Sequence, residues 1–180
     1  MGKVFIHATI TLDGYMAGVD GDMSWMQDLE AVDEDYAYAN KIMADIGAIV
    51  GGSHKTNTIE EDGIPYGGAV KVPVFLMTHT AREPIEKDGI TYTFVVDDIK
   101  QAVDAAKAAA GDKNVSLLGG TISRQCLKLG LVDEIVLHVE PLLLGGGISL
   151  FEGLGETIKL RRLETFALAG ETHLRFEVVK

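Results

Sequence analysis

The sequence predicts a three-layer α/β/α domain on a mixed, mainly parallel sheet, closed by a C-terminal antiparallel hairpin. Three observations carry that expectation. Short apolar runs with strand character alternate with segments of helical periodicity as far as Glu140. The first run, residues 4–10, is apolar on both faces, with Val4, Ile6, Ala8 and Ile10 alternating against Phe5, His7 and Thr9, as a strand covered on both sides must be. Residues 157–168 and 172–179 are extended runs joined across Ala169-Gly170-Glu171, which is a hairpin pattern. With 180 residues a single domain suffices, large enough to bury about 70% of the surface its unfolded chain exposes.

Taken in order, the first strand leads into residues 11–22, read as a loop because Asp13-Gly14 and Gly18-Val19-Asp20-Gly21-Asp22 are both turn signals. Asp33 or Asp35 caps a helix whose inward face is read as Tyr36, Ala39, Asn40, Met43 and Ile46, closed by Gly47. Ala48-Ile49-Val50 is the next strand and runs into Gly51-Gly52. Residues 60–71, with Gly63, Pro65, Gly67 and Gly68, form a loop. Strands follow at 72–77 and 92–96, and Asp98 with Gln101 resembles a capping box for a helix with Ile99, Val103, Ala106 and Ala110 on one side and Gly111 at its end.

Residues 114–135, NVSLLGGTISRQCLKLGLVDEI, form the central unit. A strand, Val115 to Leu118, is broken by Gly119-Gly120; helical spacing then begins at Thr121 with Ile122, Cys126 and Leu129, and Gly130 ends it. Such a β-α-β crossover is right-handed, with parallel strands. Glycines before a helix let a ligand approach backbone amides that have no intrahelical partner, so the turn is either a phosphate site or merely a tight connection. The GxGxxG pattern of the standard dinucleotide loop is absent.

Hydrophobic residues make up 47% of the chain and charged residues 24%, with a net charge of −11, which disfavours nucleic acid and anionic membranes as partners. The chain enters its first strand at once, without the apolar stretch of a signal peptide or membrane span, so a cytoplasmic protein is expected. Cys126 is the only cysteine and reads as a core residue. The histidines, at 7, 54, 79, 138 and 173, are scattered, and no metal site is expected from their spacing. His138 and Glu140 share one face of a strand and are candidate proton-handling groups.

Thr11-Leu12-Asp13-Gly14-Tyr15-Met16-Ala17, Gly130-Leu131-Val132-Asp133-Glu134, the run from Leu137 to Gly147 and Leu150-Phe151, and Thr172-His173-Leu174-Arg175-Phe176 together span nearly the whole chain. In that order they resemble the signature of the reductase family that includes the C-terminal domain of the bifunctional riboflavin-biosynthesis deaminase-reductase, which has the dihydrofolate reductase fold. The resemblance implies a homodimer that transfers a hydride from NADPH to a small heterocyclic or sugar-derived substrate. Dihydrofolate reduction, and a non-catalytic nucleotide-binding dimer, are the alternatives.

The same resemblance assigns candidate residues. His7, Ala8 and Ile10 become floor residues for the nicotinamide, and Asp13 either orders its loop or polarises substrate. Trp25 ahead of Asp28 and Glu30 is similar to the tryptophan and helical carboxylate of dihydrofolate reductases; a carboxylate there supplies a proton if desolvation raises its pKa, whereas the five acids of residues 28–35 also suit a solvated helix start. Gly51-Gly52-Ser53-His54-Lys55-Thr56 resembles a G-R-x-T loop that grips the 2′-phosphate side of NADPH, with Lys55 or His54 in place of the arginine. Thr78, His79 and Arg82 resemble a T-H-x-x-R stretch at the adenosine end, and Gly119, Gly120, Thr121 and Ile122 complete the cofactor set. The family's Asp-Pro and Thr/Ser-x-Arg motif is missing from residues 60–71, so the substrate stays open. A cis bond between Gly119 and Gly120 is a further implication.

Overall fold

The computed structural model describes residues 2–29, 32–52, 65–168 and 170–180, and within them every side chain but that of Asp28. Its strands are β1 (Val4–Thr11), β2 (Tyr15–Ala17), β3 (Ile46–Gly52), β4 (Val74–Thr78), β5 (Ile85–Lys87), β6 (Ile90–Val96), β7 (Asn114–Leu117), β8 (Glu134–Glu140), β9 (Ile148–Ser149), β10 (Leu160–Ala167) and β11 (Thr172–Val178). Its α-helices are α1 (Asp33–Ala44), α2 (Ile99–Ala110) and α3 (Gly120–Lys128). One nine-stranded sheet runs β10-β11-β8-β1-β7-β3-β4-β6-β5, and β2 pairs with β9 apart from it. The strands from β8 to β6 are parallel, while β11 on β8, β10 on β11 and β5 on β6 are antiparallel.

The two-residue period of the strands sorts side chains into two cores. Val4, Ile6 and Ile10 of β1 join Ala102, Val103 and Ala106 of α2 and Ile122, Cys126 and Leu127 of α3 on one face. Phe5 of β1 joins Ile46, Ile49, Val74 and Leu76 on the other, against Tyr38, Ile42 and Met43 of α1. The three layers and the central place of the first strand are as expected. Asp98 caps α2 by accepting from the Gln101 amide at 2.9 Å. Cys126 is fully buried in the first core, and burial pushes its thiol up to about 12. A thiol reagent at about pH 8 is therefore expected to leave the native protein unlabelled while labelling a urea-unfolded sample; equal rates would mean that the α3 face opens readily.

Four local expectations are corrected. The inward face of α1 is Asp35, Tyr38, Ile42 and Met43, whereas Tyr36 is 56% exposed and Asn40 is exposed too. A carboxylate was not expected to face inward, and assigning Asp35 to the surface turns the helix by about one residue, or 100°. Gly47 does not close α1, which ends at Ala44; it lies inside β3. Leu129 is not on the buried face of α3: it is the C-cap, 46% exposed, and Leu127 takes its place inward. Residues 11–22 contain a strand as well as turns, because β2 finds a partner in β9, more than a hundred residues away. No described helix is long and apolar enough to cross a membrane.

Candidate active site at the carboxyl edge of the sheet

Parallel pairing brings the carboxyl ends of β8, β1, β7, β3 and β4 to one edge of the sheet, where ligands of open α/β folds gather. Val50 of β3 pairs with Leu117 of β7, so Gly51-Gly52, expected as a turn but paired with Leu76 and Met77 as the last residues of β3, ends beside the Gly119-Gly120 turn. A Cβ on Gly52 would lie 3.5 Å from Ile122 Cγ1. Gly119 takes φ 87° and ψ 142°, a conformation open to glycine, and no side chain caps the helix it introduces. The amides at the start of α3 thus carry the dipole's positive end toward the edge. Arg124, one turn on, donates from Nη1 to the Ser149 carbonyl at 2.7 Å and from Nη2 to Thr121 Oγ1 at 3.3 Å. A Cβ on Gly120 would meet that Nη1 at 2.8 Å. The peptide bonds of the described residues are all trans, including Gly119-Gly120, which corrects the expected cis bond; here positive φ at Gly119 makes the turn.

Asp13 serves the loops. Its Oδ1 accepts from the Thr11 hydroxyl at 2.5 Å and the Leu144 amide at 3.3 Å, and its Oδ2 from the Gly145 amide at 2.8 Å. Those bonds, the Thr11 hydroxyl first, hold its carboxyl below the usual range. It ties the loop after β1 to the loop after β8, as do Leu12 to Leu142 and the β2–β9 pair. Of the nicotinamide floor, Ala8 is half-buried and Ile10 is buried in the α2–α3 core, but His7 points to the opposite, α1 face, as strand alternation requires.

Thr78 ends β4 beside Gly52, since Met77 is the partner of Gly52. His79 Nδ1 meets Asp97 Oδ1 at 2.5 Å, and the Arg82 guanidinium lies over the Phe94 ring, 4.5 Å from its centroid. Ser53, His54, Lys55, Thr56 and Glu30 lie outside the described residues, as does the side chain of Asp28, whose backbone ends the 3-10 turn Ser24–Asp28.

On the α1 face a buried polar row crosses the sheet. Ser116 Oγ is 2.7 Å from Tyr66 Oη, which is 3.2 Å from His7 Nδ1. His7 Nε2 is 2.7 Å from His138 Nε2, His138 Nδ1 is 2.8 Å from His173 Nδ1, and His173 Nε2 is 2.8 Å from Asp35 Oδ1. Burial, and then His138, push His7 down to about 3, so its ring is neutral; burial pushes the Tyr66 hydroxyl up to about 12. With the Asp35 carboxylate at one end, one set of tautomers serves every bond: each group donates toward Asp35 and accepts from the Ser116 side.

The family model of the RibD C-terminal domain matches residues 2–174. The chain belongs to this family. Among its relatives the Bacillus subtilis (strain 168) protein YyaP is 27% identical over 174 residues, covering 91% of this chain and 87% of its own. The crystal structure of a Shewanella sp. PV-4 protein named for riboflavin biosynthesis superposes with a TM-score of 0.78 at 22% identity, covering 99% of both chains. The Saccharomyces cerevisiae riboflavin biosynthesis reductase Rib7 superposes at 0.68 with 12% identity, covering 99% of this chain and 90% of its own. This RibD C-terminal-type domain thus shares their fold. Sequence reading did not foresee Arg124, Tyr66, Asp35 or the joining of three histidines. The alternation that places His138 and Glu140 on one face was legible; their partners across β1 and β11 required the strand order.

Proposed function

We propose that this protein is an NADPH-dependent reductase that transfers a hydride to a small heterocyclic or sugar-derived substrate, similar to 5-amino-6-(5-phosphoribosylamino)uracil reductase. The observation that supports it is the glycine end of β3, residues 51-52, set beside the 119-120 turn at the carboxyl edge, where α3 starts uncapped. The fit is good for a pyrophosphate: Gly119 has open space where a Cβ would be, Thr121 stands in the first turn and Arg124 one turn on. NADPH, when bound, supplies the hydride. The chain's own part is to grip the phosphates with backbone amides, orient the ring against β1, and exclude water with the joined loops at Asp13. Dihydrofolate reduction, the alternative, would need Asp28 or Glu30 as its carboxylate: Asp28→Asn and Glu30→Gln should then abolish turnover, and full activity in both would sink it.

Titration of Trp25 fluorescence with NADPH and NADH tests this reading, because Trp25 stands half-buried in the 3-10 turn after the β1 loop. NADPH is expected to bind at least about tenfold tighter, a difference of about 1.4 kcal/mol, within reach of one hydrogen bond to a charged group. Gly120→Ala, by displacing Arg124, is expected to weaken binding at least about tenfold with the fold kept. If calorimetry finds neither nucleotide bound at millimolar concentration, the non-catalytic reading replaces this one. The outer strand β10 is exposed along almost its whole length, with Leu160 43% and Leu163 46% exposed, which supports a homodimer through that edge. Light scattering should then give twice the 19.3 kDa of one chain, and Leu163→Lys should halve it.

A further inference from the structure

We infer that His138, His173 and Glu171, with the buried Glu140 beside them, form a site for one divalent transition-metal ion of the zinc class. The register places His138 opposite His173 on adjacent antiparallel strands, and since Val139 pairs with Thr172, Glu140 stands opposite Glu171. His138 and Glu140 of β8 therefore share a face with His173 of β11 and with Glu171 just before it. His138 Nδ1, His173 Nδ1 and Glu171 Oε2 are 2.8, 3.4 and 3.7 Å apart. Ligands about 2.0 Å from a tetrahedral zinc ion stand about 3.3 Å from one another, so these donors already bracket the required edge. His138 and His173 are 2% and 0% exposed, and the Glu171 side chain 10%.

Two further observations point to an ion. Glu140 is 2% exposed and its carboxyl is hydrogen-bonded to Glu171, yet its Oε1 has no hydrogen-bond partner among the described residues. Both histidines also have the outer partners that metal-ligating imidazoles use: His173 Nε2 faces Asp35 Oδ1 at 2.8 Å and His138 Nε2 faces His7 Nε2 at 2.7 Å. Asp35 holds the His173 proton on Nε2, and once His7 adopts its other tautomer His138 also keeps its proton on Nε2, so both Nδ1 atoms face the ion. In the ion-free row the His138 proton lies on Nδ1 toward His173; with an ion bound it lies on Nε2 toward His7, whose own proton moves to Nδ1 while the Tyr66 hydroxyl turns to Ser116, so the row keeps its protons.

The whole chain, stripped with a chelator, is titrated with cobalt(II) chloride and zinc chloride by visible absorption and calorimetry. One ion per chain is expected, with the absorption bands of tetrahedral cobalt and a Tm that rises in excess zinc. Glu171→Gln, at the hairpin rim, is expected to keep the circular dichroism of the parent and to bind at least about tenfold more weakly. Asp35→Asn, which acts through His173, should lose about tenfold or more. His79→Ala, at the exposed His79 and Asp97 pair, should bind as the parent does. No ion bound by the parent chain at about 10 μM metal would overturn the assignment, and so would binding that survives Glu171→Gln and disappears in His79→Ala.

Discussion

Asp35→Ala is expected to lower the unfolding free energy of chelator-treated protein by about 3 kcal/mol, the sum of an orphaned buried donor and a lost helix cap. The carboxylate, 1% exposed, accepts from His173 Nε2 at 2.8 Å and from the Val32 amide at 2.8 Å, so one truncation strands a buried ring nitrogen and frees the first turn of α1. The cavity adds to that cost in a region where Tyr38 and Phe166 also pack on His173. For a domain of this size the loss corresponds to about 6 to 12 °C in Tm. Asp35→Asn keeps its one acceptor oxygen for the Val32 amide and sets an N–H donor against His173 Nε2, which must change tautomer to receive it, and should lose about 1 kcal/mol. Urea denaturation of the two variants separates these expectations: equal losses would mean that the carboxylate's charge, and not its two bonds, anchors α1 to β11.

Gly147→Ala is expected to part the two loops over the candidate site, at a cost of about 3 kcal/mol from overpacking and backbone strain together. Gly147 has φ 134°, and a Cβ there would lie 2.1 Å from the Ala17 carbonyl oxygen and 2.8 Å from two backbone atoms of Gly18. No rotamer relieves a clash with backbone, so β9 must leave β2. Gly145→Ala is the control: φ is 72°, but no atom lies within 4 Å of the added Cβ, so only the conformational cost of about 1 kcal/mol applies. Hydrogen exchange at the β2 and β9 amides should rise in the first variant and stay near the parent rate in the second. Parallel behaviour of the two would show that the loop after β8 yields at little cost and is no clamp.

Much of the fold was legible in residue order because period and punctuation are local properties. The two-faced β1, the Gly119-Gly120 turn before α3, the Asp98 cap and the closing hairpin all follow from residue type and spacing within about a dozen positions. Family membership was legible for a different reason: motifs at the start, middle and end occur in one order along one chain. Asp35, read as a surface cap, and Tyr36, read as buried, show where such reading stops. A carboxylate faces inward only if something there accepts it, and His173 stands 138 positions away in sequence.

The candidate site divides in the same way. Residue type alone marked the glycine turns and the loop at Asp13, but Asp13 could serve substrate or backbone until the amides of Leu144 and Gly145 were seen to occupy it. His7, His138 and His173 carry no spacing signal, because the strands that join them, β1, β8 and β11, are neighbours only through the crossover after α3 and the return of the hairpin. Sequence by itself determined the elements, their hydrophobic faces and the family. Strand order and register decided which polar groups share a buried space, since a hydrogen bond or a metal ligand set depends on distances of about 3 Å that no local pattern encodes.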